Sequence, residues 1–190
     1  RVQFDDRSYL DKVGITAEEF FAEIERNPAH PKTSQPPPGD FRRQFEFLAT
    51  HFESVVSVNL SRRVSGTCGA AEAAAARVGT HGKVTVVDSL NASLGQGLVA
   101  MYAAECAQAG YDAARVIEAT RAIVPKTQTY GLVGSLEYAV RGGRVPRWVK
   151  NTADRLRLMP VLHATRDGRV TAGGVLFGRW RLKYTFARFI

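Results

Sequence analysis

Apolar residues fall along this chain in two rhythms. Ser54–Leu60 (Ser-Val-Val-Ser-Val-Asn-Leu) and Lys83–Asp88 (Lys-Val-Thr-Val-Val-Asp) are short β-branched runs, the mark of strands buried on both faces. Between them Ser61–Thr67 is small and hydroxyl-rich, and Cys68–Val78 is nearly all alanine, the best helix former. Upstream, Thr16-Ala17-Glu18-Glu19 is a capping box, which predicts a helix over about Ala17–Arg26 with Phe20, Phe21 and Ile24 on one face and Asn27-Pro28 as its stop. Thr33–Gly39 reads as a stiff proline-rich loop that cannot be helix. Asp40 is then expected to cap a second helix with Phe41, Phe45, Leu48 and Phe52 as its buried stripe. Leu94–Ala109 reads as a helix with Leu98, Met101, Tyr102 and Cys106 inward, ended by Gly110, and Asp112 caps another through Ile123. This strand–helix alternation predicts an α/β fold: a parallel sheet with helices on both faces.

Pro125 marks a boundary, so the expected division is an α/β domain over residues 1–124 and a smaller α/β domain over 125–190. In the second, Thr129–Gly134 is a strand and Ser135–Val140 a helix ended by Gly142-Gly143. Trp148–Leu158 is helical. Pro160–Ala164, the turn at Arg166-Asp167-Gly168 and Val170 onward form a hairpin. Charge sharpens this division. Arg1–Arg121 carries 13 basic and 15 acidic residues, whereas Ala122–Ile190 carries 13 basic and 3 acidic, so +10 of charge sits in the last third. A basic module suits an acidic partner, a membrane surface or nucleic acid, although a solvated basic face is the commoner explanation. The 45% hydrophobic and 23% charged composition is that of a globular protein. No apolar run reaches the ~18 residues of a membrane span, and no signal peptide opens the chain. Two cysteines, Cys68 and Cys106, make no disulfide framework and fit reduced thiols in a cytoplasm.

The chemistry concentrates where the first strand meets the alanine helix. Ser65, Gly66 and Thr67 fall at a helix N-terminus, where free N–H groups and the positive end of the helix dipole favour an anion. Ser65 or Thr67 could equally act as a plain helix cap. In open α/β sheets ligands bind beyond the carboxyl ends of the strands, and Ser65 and Ser89 both fall there. His30, His51, His81 and His163 are scattered without metal spacing, and no nucleotide loop or serine–histidine–acid arrangement is legible. Asp88 suits the ordering of loops better than catalysis. The residues describe a binding site with no visible proton shuttle, and no cofactor or metal is expected.

Ser61-x-x-x-Ser65-Gly66-Thr67, preceded by Thr33-Ser34-Gln35-Pro36 and followed by Asp88-Ser89 and Gly142-Gly143-Arg144-Val145, resembles the DegV family of fatty-acid-binding proteins. The motifs come in the family's order over nearly the whole chain. The resemblance implies that a long-chain fatty acid lies between two domains, with its carboxylate on Thr33 and Ser65 and its tail in an apolar tunnel. Ser34, Ser61, Gly66, Thr67, Ser89 and Arg144 are supporting candidates. It also implies a non-enzymatic cytoplasmic carrier that presents the acid to the catalytic subunit of a fatty acid kinase, with transient membrane contact and no nucleic acid. Arg179, Arg181 and Lys183 are the candidates for the partner surface. Cys68 stands where the family often has an aromatic residue, Met159 where it has lysine, and Gly173-Gly174 alters the later spacing. The family's opening Asp-Ser strand and closing histidine-bearing stretch are not in this sequence, so a fragment or trimmed member is expected. Two other classes stay open: an enzyme acting on a small phosphorylated or carboxylated substrate at the same loop, and a basic nucleic-acid binder stacking bases on Trp148, Trp180, Tyr184 and Phe186.

Overall fold

The computed structural model describes the chain except Pro28, Thr80, His81, Arg144 and residues 178–181, and it describes the backbone but not the side chain of Lys183. The candidates Arg144, Arg179, Arg181 and the Lys183 side chain, with His81 and Trp180, therefore lie outside the described residues.

The chain opens with an antiparallel pair, β1 (Val2–Phe4) and β2 (Arg7–Tyr9). Thr16 then starts α1 (Ala17–Arg26) through the expected box: Thr16 Oγ1 accepts from the Glu19 N–H at 3.2 Å, and the Glu19 carboxylate accepts from the Thr16 N–H at 2.8 Å. β3 (Lys32–Thr33) returns to pair with β1, placing Thr33 opposite Val2. Val2, Phe4 and Ile15 form the core here, with Phe20 and Ile24 of α1 packed on it.

α2 (Pro38–His51) begins earlier than the sequence suggested, with Pro37 as N-cap and Asp40 inside the first turn. Proline lacks only an N–H that the first turn leaves unpaired anyway, so Pro38-Gly39 joins the helix instead of ending the loop. Phe45 is buried and Phe41 and Leu48 are partly so, but Phe52 sits at the helix's C-cap and is 59% exposed. β4 (Val55–Asn59), α3 (Thr67–Ala75) and β5 (Val84–Asp88) follow as a strand–helix–strand unit, with β4 and β5 parallel and in register from Val55↔Val84 to Asn59↔Asp88. α4 (Ser93–Gln108) and α5 (Ala113–Ile123) cover the sheet's second face. Period-two alternation makes this a two-sided layer. Val55, Val84 and Val86 pack against Phe45, Ala49, Ala71 and Ala74, while Val56 and Val58 pack against Ala103, Cys106 and Val116.

The inward face of α4 differs from the expected one. Gly95, Val99, Ala103 and Cys106 are buried, whereas Leu98 and Met101 are 58% and 60% exposed and Tyr102 is exposed too. Small residues line the inward face of α4, and its first turn is tightly seated: a Cβ on Gly95 would meet Thr129 Oγ1 and Asn91 Oδ1.

β6 (Tyr130–Leu132) precedes α6 (Glu137–Arg141) and α7 (Arg147–Arg155). β7 (Leu158–Ala164) pairs antiparallel with β6, Tyr130 opposite His163, in a sheet of order β6-β7-β8, where β8 is Val170–Phe177. α8 (Leu182–Phe189) closes the described structure. No helix among the described residues is long and apolar enough to cross a membrane. Two compact units result, each assembled from separated stretches. Unit 1 takes Arg1–Gln35, Val133–Pro160 and Val175–Phe189, and unit 2 takes Pro36–Leu132, Val161–Gly174 and Ile190. This differs from a cut at residue 124, because the chain leaves unit 1 after β3 and re-enters it beyond β6.

Candidate functional site

Unit 2 builds a polar loop at the carboxyl ends of β4 and β5. Ser61, two residues beyond β4, is fully buried; its N–H donates to the Asn91 carbonyl at 2.8 Å and its hydroxyl donates to the Gly168 carbonyl at 2.6 Å. The N–H groups of Val64 and Ser65 turn back onto the Ser61 carbonyl at 3.0 and 3.1 Å. Gly66 is the N-cap of α3 and no side chain caps it, so neither Ser65 nor Thr67 is a plain cap. Ser65 Oγ instead accepts from the Thr67 N–H at 3.2 Å and shares a hydrogen bond of 2.8 Å with Thr67 Oγ1. Two hydroxyls sharing one bond leave one hydroxyl hydrogen to give away. That hydrogen, with the Cys68 and Gly69 N–H groups of the first turn of α3, is a set of neutral donors of the kind that can meet an anion.

Ser89 is fully buried as well, exchanging hydrogen bonds of 3.2 Å with the backbone of Asn91. Asn91 ties this corner together. Its amide donates to the carbonyls of Ser89 and Thr127 at 3.0 and 3.1 Å, and its Oδ1 accepts from Thr129 Oγ1 at 3.0 Å. Ser61 and Ser89 thus spend their hydroxyls on scaffolding, beneath a loop on which Ser65 and Thr67 remain partly exposed. The scaffold is strained at Leu90, which holds φ +50°, a conformation a bulky residue rarely adopts.

Arg62, absent from the sequence-derived candidates, is the one cation built into this corner among the described residues. Its Nε donates to Asp88 Oδ2 at 2.9 Å and its Nη2 to Glu72 Oε1 at 2.8 Å, while Asp88 also accepts from the Arg62 and Leu90 N–H groups. Both carboxylates hold the guanidinium charged, raising its pKa, first through the bond to Asp88. Cys68, on the first turn of α3, is buried, and desolvation raises its thiol pKa. It is a packed thiol, not an activated one. Both cysteines are free. No group of three or more His, Cys, Asp or Glu among the described residues is placed to hold a metal ion.

Unit 1 holds Thr33, exposed at the end of β3, and Ser34, whose N–H donates to the Arg1 carbonyl at 3.2 Å. Thr33 lines a cavity of about 680 Å³ whose apolar wall is Phe20, Phe21, Ile24 and Tyr138, with His30 and Arg141 on its polar side. Phe21 is 63% exposed because it faces this space and not the core. His30 stacks on Tyr138 with ring centroids 5.7 Å apart. Of these wall residues only Phe20, Phe21 and Ile24 had shown in the sequence, as one face of α1; His30, Tyr138 and Arg141 come from distant stretches.

A family model described as "Uncharacterised protein, DegV family" matches residues 1–181. The chain belongs to the DegV family. A DegV domain-containing protein of Deinococcus radiodurans is 32% identical over 178 residues, covering 94% of this chain and 62% of that protein. This chain therefore spans less than two thirds of that relative's own length. Among solved structures, a DegV family protein from Thermus thermophilus, described by its fatty acid binding, superposes with a TM-score of 0.82 at 33% identity, over 98% of this chain and 67% of that one. A stearic-acid-binding protein from Eubacterium ventriosum does so with a TM-score of 0.86 at 25% identity, over 99% of this chain and 66% of that one. The α/β architecture expected from the alternation of strands and helices is the DegV fold.

Proposed function

We propose that this DegV protein binds a long-chain fatty acid without transforming it. The carboxylate is assigned to the Ser65 hydroxyl and the open end of α3; by likeness of motif Thr33 is a second hydroxyl, and the cavity that Thr33 and Phe21 line is the candidate for apolar tail wall. The observation that carries the reading is the donor set at Ser65–Thr67: one spare hydroxyl hydrogen beside a helix end, with the nearby arginine already bound to two carboxylates. Neutral donors hold a carboxylate without placing a fixed counter-charge beside a hydrocarbon tail. Fatty-acid binding in the solved relatives at 33% and 25% identity supports the same ligand class. The tail supplies the drive, at roughly 0.8 kcal/mol per buried methylene.

Presenting the acid to a fatty acid kinase is the finer part of the proposal and rests on the resemblance to a family some of whose members present acyl chains to such a kinase. Native mass spectrometry of the unextracted protein tests the carrier reading, with an adduct of long-chain acid as the expected result. Protein that takes up no palmitate or oleate when offered them would remove it. Kinase coupling is read separately, as formation of acyl phosphate from the loaded protein.

A further inference from the structure

We infer that Arg62 shields the anion loop from two carboxylates of its own scaffold and so sets the loop's tolerance for charged ligands. The inference rests on the fatty-acid reading of that loop. Asp88 stands at the carboxyl end of β5 and Glu72 on the second turn of α3, five residues from the helix start. At 1.5 Å per residue Glu72 lies about 7–8 Å along the axis from that start, inside the ~8–10 Å over which charges interact in physiological salt. Left bare, both carboxylates would oppose any anion at the helix end. The Arg62 guanidinium lies between them, with Nε on Asp88 at 2.9 Å, Nη2 on Glu72 at 2.8 Å, and Nη2 also 3.8 Å from Cys68 Sγ on the first turn.

The bridge does two things. The Arg62 backbone N–H also reaches Asp88 Oδ2, at 3.3 Å, so side chain and backbone pin the loop three residues before Ser65 to the end of β5. It also cancels one of two negative charges, and more locally, because a guanidinium meets each carboxylate through a directed N–H bond. Arg62 is half-exposed, and its Nε and Nη2 are engaged by carboxylates of its own scaffold, which fits a positioning residue better than a ligand-contacting one.

Shielding predicts a dependence on ligand charge that a purely structural role does not. Coulomb energy scales with the charge on the ligand, so the logarithm of the affinity loss should be zero for a neutral ligand and double from a monoanion to a dianion. The experiment compares palmitamide, palmitate and hexadecyl phosphate on the wild-type chain and on Arg62→Gln, Arg62→Lys and Arg62→Gln/Glu72→Gln. In Arg62→Gln, which keeps the backbone N–H bond to Asp88 that pins the loop, we expect palmitamide binding nearly unchanged, palmitate weakened about three- to tenfold, and hexadecyl phosphate weakened by about the square of that factor. Arg62→Lys should keep most of the affinity, and adding Glu72→Gln to Arg62→Gln should restore part of it. Equal weakening of all three ligands, or no weakening of either anion, overturns the inference while wild-type binding leaves the fatty-acid reading standing. Wild-type protein that binds none of the three overturns that reading and this inference with it.

Discussion

The hydroxyl of Ser61 donates to the carbonyl of Gly168 at 2.6 Å, joining the loop after β4 to the β7–β8 turn across 107 residues of chain. Gly168 is fixed there twice over. Its φ of +83° suits glycine, and a Cβ at this position would run into Ser61 Oγ and Leu90. Gly168→Ala should therefore destabilise by about 1–3 kcal/mol. Ser61→Ala, which leaves a buried carbonyl unpaired, should cost about 1–3 kcal/mol as well. Because each change breaks the same contact, the double variant should lose clearly less than the sum in urea unfolding. Additive losses would mean that the two residues act independently.

Gly95 and Gly97 give opposite expectations within one helix. Alanine is favoured over glycine in a helix interior by about 1 kcal/mol. At Gly97 an added Cβ meets open space, so Gly97→Ala should raise the melting temperature. At Gly95 the same methyl meets Thr129 Oγ1 and Asn91, the residue that joins both strand ends. Gly95→Ala should lower stability despite its better propensity. If both substitutions stabilise, α4 is not seated as closely as this contact requires.

That pair also shows why β4, β5 and the starts of α1 and α5 were readable and the inward face of α4 was not. Capping at Thr16, β-branched runs at 55–58 and 84–87, and alanine richness at 68–76 act locally, so each element's existence follows from its own residues. Which face turns inward depends on how near the neighbour comes. On α4 close packing selects Gly95, Val99, Ala103 and Cys106 over the larger Leu98 and Met101, and no periodicity of large residues records that choice. The hydroxyl motif was legible down to Ser65 and Thr67. The division of labour beneath it was not, since the partners of Ser61 and Ser89 are backbone carbonyls that carry no side-chain signature. Arg62 was hidden for a related reason: its partners stand 10 and 26 residues away. Both Pro125 and the charge step divide the chain in sequence order, whereas the two compact units are each assembled from separated stretches.

Cys68 gives a pH expectation. Burial raises its thiol pKa, so the folded state favours the protonated form. This contribution is fully present below the ordinary thiol pKa and is lost as pH rises through the higher folded value. Native protein at pH 8 should therefore react slowly with iodoacetamide at Cys68 and quickly once unfolded, and Cys68→Ala should flatten the alkaline fall in stability. Fast native labelling would contradict a packed thiol.

Phe20 and Phe21 are neighbours on α1 with ring centroids 5.5 Å apart, yet they face different tasks. Phe20 packs on the unit 1 core, 5.6 Å from Phe4. Phe21 is largely exposed and lines the cavity that also holds Thr33. Truncating Phe20 should thus cost folding stability, about 1–3 kcal/mol for a half-buried aromatic, below the ~3–5 kcal/mol of a full core position. Truncating Phe21 should leave stability within about 0.5 kcal/mol, as for a surface change. Ligand binding should reverse the order. If Phe21 is tail wall, Phe21→Ala removes contact only from chains long enough to reach it, so palmitate should lose more affinity than octanoate. Because a buried methylene is worth roughly 0.8 kcal/mol, losing two or three contacts weakens palmitate by about ten- to fiftyfold. Equal losses for the short and long acids would place the tail elsewhere, and a large fall in melting temperature for Phe21→Ala would return that ring to the core.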